Sequence, residues 1–172
     1  MSRSGPDPEF DFVSRWQLAT GPGTVWDALV DFHSWPGWWP GLVSVEETAP
    51  GGEDGIGQRA NSVWRGPVGY KVDFEIETVE RRHPEVLRGD ATGGLTGSGT
   101  WHLSPVEGGA WTQFVYEWKV VATRRWMRML NPVARPVFVR SHDHVMNKGA
   151  VGLAAYLGCE IRDFSTGEET KA

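Results

Sequence analysis

The stretch RRWMRMLNPVARPVFVRSHDHVMNKGAVGLAAYL, Arg124 to Leu157, carries the only helical period in this chain long enough to cross a whole domain. At about 100° per residue, Ala134, Val137, Phe138, Ser141, Val145, Gly149, Gly152 and Tyr156 fall on one broad face, with Arg140, Asp143, His144 and Asn147 opposite. Such a face has to be covered. Asn131 before Pro132 reads as a helix start, because an Asn side chain can cap free amides and a proline at the first helical position gives up a donor that had no partner. The main helix is therefore expected from Pro132, with Arg124 to Leu130 as a short lead-in turn, a bend at Pro136 and a left-handed cap at Gly158. Gly149 and Gly152 each cost roughly 1 kcal/mol of helix propensity relative to Ala, so they point to close approach of a sheet or to room for a ligand. His142 stands at the edge of the apolar arc.

Working outward, everything upstream reads as short strands. Phe10, Phe12, Trp16 and Leu18 share one face of a first or edge strand, interrupted by Ser14. Thr24 can cap a short helix through Phe32, and Ser34 to Gly41, broken by two prolines and two glycines, places Trp35, Trp38 and Trp39 on a turn or a single helical turn. Strands follow at Leu42 to Thr48, Gln58 to Arg65 and Tyr70 to Arg81. In the last of these Val72, Phe74 and Ile76 face one way and Asp73, Glu75 and Glu77 the other. A glycine-rich hairpin joins Val86 to Thr92 with Leu95 to Leu103, and Trp111 to Ala122 carries the row Phe114, Tyr116, Trp118 and Val120. Strands in succession, a small helical insert after the first and one long helix at the end describe an α+β domain: an antiparallel sheet with a helix packed on one face. Residues 1 to 9 are expected to be a flexible polar lead, and 159 to 172 a frayed polar tail.

With 172 residues and a pI near 5.5, the chain is most simply one domain. A net charge of −5 argues against nucleic acid, which wants a concentrated basic face. The single cysteine, Cys159, can form neither an internal disulfide nor a metal cluster, and the polar start Met1 to Glu9 is no signal peptide. A cytoplasmic protein is expected, with any membrane contact peripheral. Ten tryptophans in so short a chain either build a core or line a pocket for a flat or greasy ligand.

Certain motifs carry a resemblance. These are Asp31-Phe32 through Trp35-Pro36-Gly37-Trp38-Trp39-Pro40, Gly97-x-Gly99-x-Trp101-x-Leu103, Tyr116-x-Trp118-x-Val120, and Asn131-Pro132-x-x-Arg135-Pro136-x-Phe138 leading to His142-Asp143-x-Val145-Met146. With the order of elements, they resemble the polyketide cyclase/dehydrase and lipid-transport branch of the START-like (SRPBCC) superfamily, over roughly Phe10 to Leu157. The resemblance implies a helix-grip fold: a curved seven-stranded antiparallel sheet wrapped round a long C-terminal helix, two short helices after the first strand, and a deep cavity between. It implies a hydrophobic or aromatic small molecule, lipid or polyketide-like, as the partner, and no cofactor. It leaves open whether such a protein binds, carries or transforms its ligand.

Candidate site residues follow from which faces turn inward. Phe74, Trp101, Tyr116 and Trp118 would wall the concave face, Trp39 would join them from the turn, and Phe138, Ser141, His142 and Val145 would close it from the helix. Arg59, Asn61 and Arg65 alternate on one strand face and would anchor a carboxylate or an enolate if that face is concave. Glu75 and Glu117 would act as acids only with the opposite facing. His142 is the candidate acid or base. His142 and His144, two apart on a helix, point about 160° from one another and cannot share a metal ion. The basic run Arg124, Arg125, Arg128, Arg135 and Arg140, mixed with Trp126, Met127 and Met129, would suit peripheral contact with anionic lipid head groups or with an acidic carrier protein. Gly93 to Gly99 lies between strands and lacks the Gly-Lys-Ser/Thr ending of a phosphate loop, so it reads as a twisted hairpin.

Overall fold

The computed structural model describes residues 9–67 and 69–169. Nine-residue β1 (Phe10–Leu18) is followed by α1 (Pro22–Val30), a 3₁₀ turn at Phe32–Ser34 and the single helical turn α2 (Trp35–Trp38). The strands β2 (Leu42–Pro50), β3 (Gln58–Arg65), β4 (Lys71–Arg82), β5 (Val86–Gly93), β6 (Leu95–Val106) and β7 (Trp111–Ala122) come next. The long helix α3 (Arg125–Leu157) and a final strand β8 (Ile161–Glu168) complete the described residues. The sheet runs β2-β3-β4-β5-β6-β7-β1-β8, every neighbouring pair antiparallel.

The expected α+β fold is present, with three differences. The sheet has eight strands among the described residues, not seven. The tail expected to fray is β8, which pairs with β1 from Phe12↔Glu168 to Leu18↔Ile161, so β1 is an interior strand. What a count of polar residues misses is what β8 rests on: Arg162 lies 3.9 Å over the Trp111 ring, Phe164 lies 6.0 Å from Trp16, and the Thr166 hydroxyl meets that of buried Ser14 at 2.7 Å. Residues 170–172, and 1–8 of the expected flexible lead, lie outside the described residues. Glu9 is engaged, its carboxylate accepting from the Ala122 amide at 3.2 Å.

The third difference is the start of α3, seven residues before Pro132. Asn131 and Pro132 carry the marks of a helix start, but the chain leaving β7 already turns helical at Arg125, just after Arg124 pairs with Asp73 of β4. The side chains of Trp126, Met127, Arg128, Leu130, Asn131, Pro132 and Ala134 lie outside the described residues. At the other end Gly158 adopts φ 64°, and the Cys159 amide donates to Ala154 O at 3.0 Å, the expected left-handed cap. α1 likewise begins earlier than the Thr24 cap suggested, with Pro22 in its first turn.

The two halves of α3 sit differently. Met146, Ala150, Leu153 and Ala154 are buried against α1, α2 and the Trp16, Leu18 and Phe114 end of the sheet. Val137 and Tyr156, expected on the covered face, are exposed. The two helix glycines serve neither the sheet nor a ligand. A Cβ at Gly149 would fall 2.3 Å from the Trp39 indole nitrogen, and one at Gly152 would fall 1.8 Å from the Trp38 carbonyl oxygen. They are the seat of the tryptophan turn. Trp39 is then fixed by its indole N–H, which donates to Val145 O at 3.0 Å.

Candidate functional site: a two-chambered apolar cavity

Period-two alternation turns one face of the strands toward α3, and on β1, β4, β6 and β7 that face carries aromatic rings. Phe12, Trp118 and Gly99 sit side by side on β1, β7 and β6, as do Ser14, Tyr116 and Trp101, then Trp16, Phe114 and Leu103. Tyr116 stacks on Trp101 with centroids 3.7 Å apart, and the pair lies flat because β6 has no side chain at Gly99, where a Cβ would sit 2.6 Å from the Tyr116 hydroxyl oxygen.

Between this face and α3 lie two chambers. The first, about 150 Å³ open to the centre of a water-sized sphere, runs under the first half of α3 and is walled by Phe10, Phe12, Val72, Trp118, Phe138 and His142, among others. The second, about 100 Å³ by the same measure, lies toward α1 and the 3₁₀ turn, against Leu29, Phe32, Trp35, Ile76, Leu87 and Trp101. Trp39, Trp64, Phe74, Tyr116 and Trp118 line both and form the partition between them. The volume of the first chamber is well above the roughly 10–15 Å³ that a single water requires, and leaves room for several waters or a small ring system.

Three polar residues of the first chamber, Tyr70, Ser141 and His142, lie together at one pole. His142 stacks on Phe12 with centroids 3.9 Å apart and planes at 9°. Neither of its ring nitrogens has a hydrogen-bond partner in the protein, and its Nδ1 lies 3.6 Å from Asp143 Oδ1, beyond hydrogen-bonding distance. Burial pulls its imidazole below the ordinary histidine range, the adjacent Asp143 carboxylate opposing only part of that, so His142 is neutral at pH 7. Ser141 Oγ is buried beside it without a hydrogen bond of normal geometry, although the Tyr70 hydroxyl is near. Burial pushes the Tyr70 phenol up, the serine hydroxyl offsetting part of the shift. The Tyr116 phenol is pushed above its ordinary range by burial alone, so it stays a donor. A neutral imidazole, a serine hydroxyl and a phenol at one end of an apolar cavity can donate to, or accept from, an oxygen-bearing group of a guest.

Most of the expected site residues meet in this space. Trp39, Phe74, Tyr116 and Trp118 are in the partition, Trp101 lies in the second chamber, and Arg65, Phe138, Ser141, His142 and Val145 border the first. Arg59 and Asn61 do not. Ala60, Ser62 and Trp64 take the inward positions of β3, so Arg59 points out and pairs with Glu77 at 3.0 Å, while Asn61 lies opposite Glu46 and Glu75 of the neighbouring strands. Arg65 shares that parity, yet at the end of β3 it borders the first chamber. Glu75 and Glu117 also face outward, Glu75 accepting from Thr48 and Glu117 lying 3.6 Å from His102. Of the basic run, Arg124 is engaged with Asp73, and Arg135 pairs with Glu168 and lies 4.7 Å over the Phe10 ring; Arg125 and Arg140 are exposed. Sequence reasoning left out Tyr70 and Trp64. Trp64 had a signal, the parity that carries Ala60 and Ser62 inward; Tyr70 sits in the β3–β4 connection, where no period applies.

A sequence profile of the family described as polyketide cyclase / dehydrase and lipid transport matches residues 9–158. The chain belongs to that family. No curated protein sequence matches it. Among solved structures, TTHA0849 from Thermus thermophilus is similar at a TM-score of 0.73 and 17% identity, over 86% of this chain and 96% of that one. A START superfamily protein from Mycobacterium smegmatis is similar at 0.69 and 15%, over 86% and 97%. The Zhui aromatase/cyclase from Streptomyces sp. R1128 is similar at 0.62 and 14%, over 86% and 93%. At such identities the likeness concerns the fold: these proteins share the sheet gripping a long C-terminal helix, and this member of the polyketide cyclase / dehydrase and lipid transport family has its cavity at that grip. No helix among the described residues is long and apolar enough to cross a membrane.

Proposed function

We propose that this chain is a small-molecule-binding protein of the cytoplasm that holds a hydrophobic or aromatic ligand between its sheet and α3. The observation that carries this reading is a mainly apolar cavity in which three buried polar atoms, His142 Nδ1 and Nε2 and Ser141 Oγ, make no hydrogen bond of normal geometry with the protein. A buried polar group left unsatisfied costs about 1–3 kcal/mol, and a guest with one oxygen function at that pole supplies the missing bonds. Native mass spectrometry of the purified protein should show a retained apolar molecule. The neutral fluorophore N-phenyl-1-naphthylamine should bind at one saturable site and be excluded by Val145→Trp, which fills the first chamber. Absence of any saturable binding would overturn the reading.

A second reading is catalysis in the same cavity, as the likeness to a protein named an aromatase/cyclase suggests. It has in its favour a neutral imidazole facing the space, able to take up a proton. His142→Ala separates the two: ligand retention should survive under carriage, whereas turnover of a poly-β-ketone thioester would be lost under catalysis. A third reading, contact with anionic membrane through exposed Arg125 and Arg140, is supported by Met129 and Val133, which lie 77% and 83% exposed on the same half of α3. Flotation with anionic and neutral liposomes tests it; equal recovery with both would remove it.

A further inference from the structure

The second chamber carries a cation that the alternation of β4 would have placed outside. Val72, Phe74 and Ile76 face α3, so Arg81, at an odd position with Asp73, Glu75 and Glu77, belongs by parity to the outer face. A β-bulge between Thr78 and Glu80 breaks the count. Beyond it Arg81 lies opposite buried Leu87 and lines the chamber with Thr78 and Ile76, while Glu80 and Arg82 pair with each other on the outer surface at 2.9 Å. Bulges beside functional sites commonly re-aim one side chain in this way.

The re-aimed guanidinium is held in place. Its central carbon lies 5.9 Å from the centroid of the buried Trp26 ring, and a Cβ at Gly55 would fall 1.6 Å from its Nη1, so it occupies the space that a side chain at position 55 would need. Gly55 has φ 77°, a conformation that itself favours glycine. No acidic side chain among the described residues pairs with Arg81. The other arginine of this chamber, Arg88, is paired with Asp90 at 3.2 Å, and Arg59 on the neighbouring strand is paired with Glu77. In a protein of net charge −5, an arginine that is oriented, half-buried at a cavity mouth and left without an acid is set up for an anion from outside.

We infer that the ligand of this cavity is an apolar molecule carrying an anionic group, a carboxylate or its like, and that Arg81 at the mouth of the second chamber binds that group. This rests on the proposed binding function and adds the charge of the guest and the end at which it is held. The apolar body then lies along Leu29, Trp35 and Trp101 toward the aromatic partition, with the His142 pole beyond.

The test uses two fluorophores with one ring skeleton, 1-anilinonaphthalene-8-sulfonate and the neutral N-phenyl-1-naphthylamine, titrated into the full chain and into Arg81→Gln, Arg81→Lys and Arg65→Gln. Arg81→Gln should weaken the sulfonate about tenfold and leave the neutral probe within about twofold, the loss expected for one charge-assisted contact. Arg81→Lys keeps the charge and the stem packing without the planar fork and should fall between. Retained neutral-probe binding shows that each variant is folded. Equal sulfonate affinity in the full chain and both Arg81 variants, or a loss confined to Arg65→Gln, would overturn the inference while leaving the binding function intact. Failure of the neutral probe to bind the unaltered chain would instead overturn the binding function.

Discussion

Replacing Gly152 with Ala sets two effects of opposite sign against one another. Taken as helix propensity alone, the change should stabilise α3 by about 1 kcal/mol. The structure predicts the reverse. The new Cβ would fall 1.8 Å from the Trp38 carbonyl oxygen and 3.0 Å from its carbon, which are backbone atoms of α2 and cannot swing aside. Carbon-to-carbonyl-oxygen contacts come no closer than about 3.3 Å, so the turn must lift by roughly 1.5 Å. Trp38 and Trp39, 6% and 4% exposed, ride on that turn. Lifting it breaks the Trp39 bond to Val145 O, worth about 1 kcal/mol, and disturbs a packed aromatic cluster at about 1–3 kcal/mol. Set against the propensity gain, the net is a loss of about 2 kcal/mol, which for a chain of this size lowers Tm by roughly 4–8 °C. Calorimetry and urea titration read it directly, the urea midpoint falling at unchanged slope. Since Trp39 belongs to the partition, affinity for N-phenyl-1-naphthylamine should fall in parallel. A Gly152→Ala protein with raised or equal Tm would show that α2 is not seated on the helix as described.

Acid should destabilise the native state through His142. An unfolded histidine ionises near pH 6.5, whereas burial holds the folded imidazole lower, so below about 6.5 the unfolded chain binds the extra proton and stability falls until the folded value is passed. Urea midpoints between pH 8 and 5 should show this fall in the parent and flatten in His142→Gln; identical profiles would refute the assignment. Truncation after Cys159 removes β8, exposes the β1 edge and leaves buried Ser14 without Thr166. The shortened chain should aggregate or lose cooperative unfolding, and a urea midpoint equal to that of the parent would show β8 to be dispensable.

The parts of this fold that were legible in the sequence are those with a period. Alternation gave the inward rows of β1, β4 and β7, and with them Phe74, Tyr116 and Trp118; the helical period gave α3 and, from its flank, His142. What escaped has no period to read. β8 depends on contacts with Trp16 and Trp111, far away in sequence. Gly149 and Gly152 announced close approach but not of what, since the visitor is a turn some 110 positions upstream. Arg59 and Asn61 were misplaced because strand parity fixes which residues share a face and not which face is concave. Arg81 was missed for the complementary reason: one inserted residue at the bulge reverses every side chain after it.

The division of α3 into two halves bears on why an apolar cavity keeps polar groups at all. A chain selected for stability alone would place an apolar side chain at position 142, where it would stack on Phe12 without stranding two ring nitrogens. Each stranded group costs about 1–3 kcal/mol, a large fraction of the 5–15 kcal/mol by which domains are typically stable. The anchored half of α3, buried at Met146, Ala150, Leu153 and Ala154, lets the fold tolerate that penalty in the other half, where Ser141 and His142 border the first chamber. A ligand at about 100 times its Kd returns about 2.7 kcal/mol, the same size as the deficit. Under the proposed binding function, occupancy and stability are then one equilibrium seen from two sides, and a guest that satisfies the His142 pole should raise Tm more than one of equal bulk that leaves it unmet.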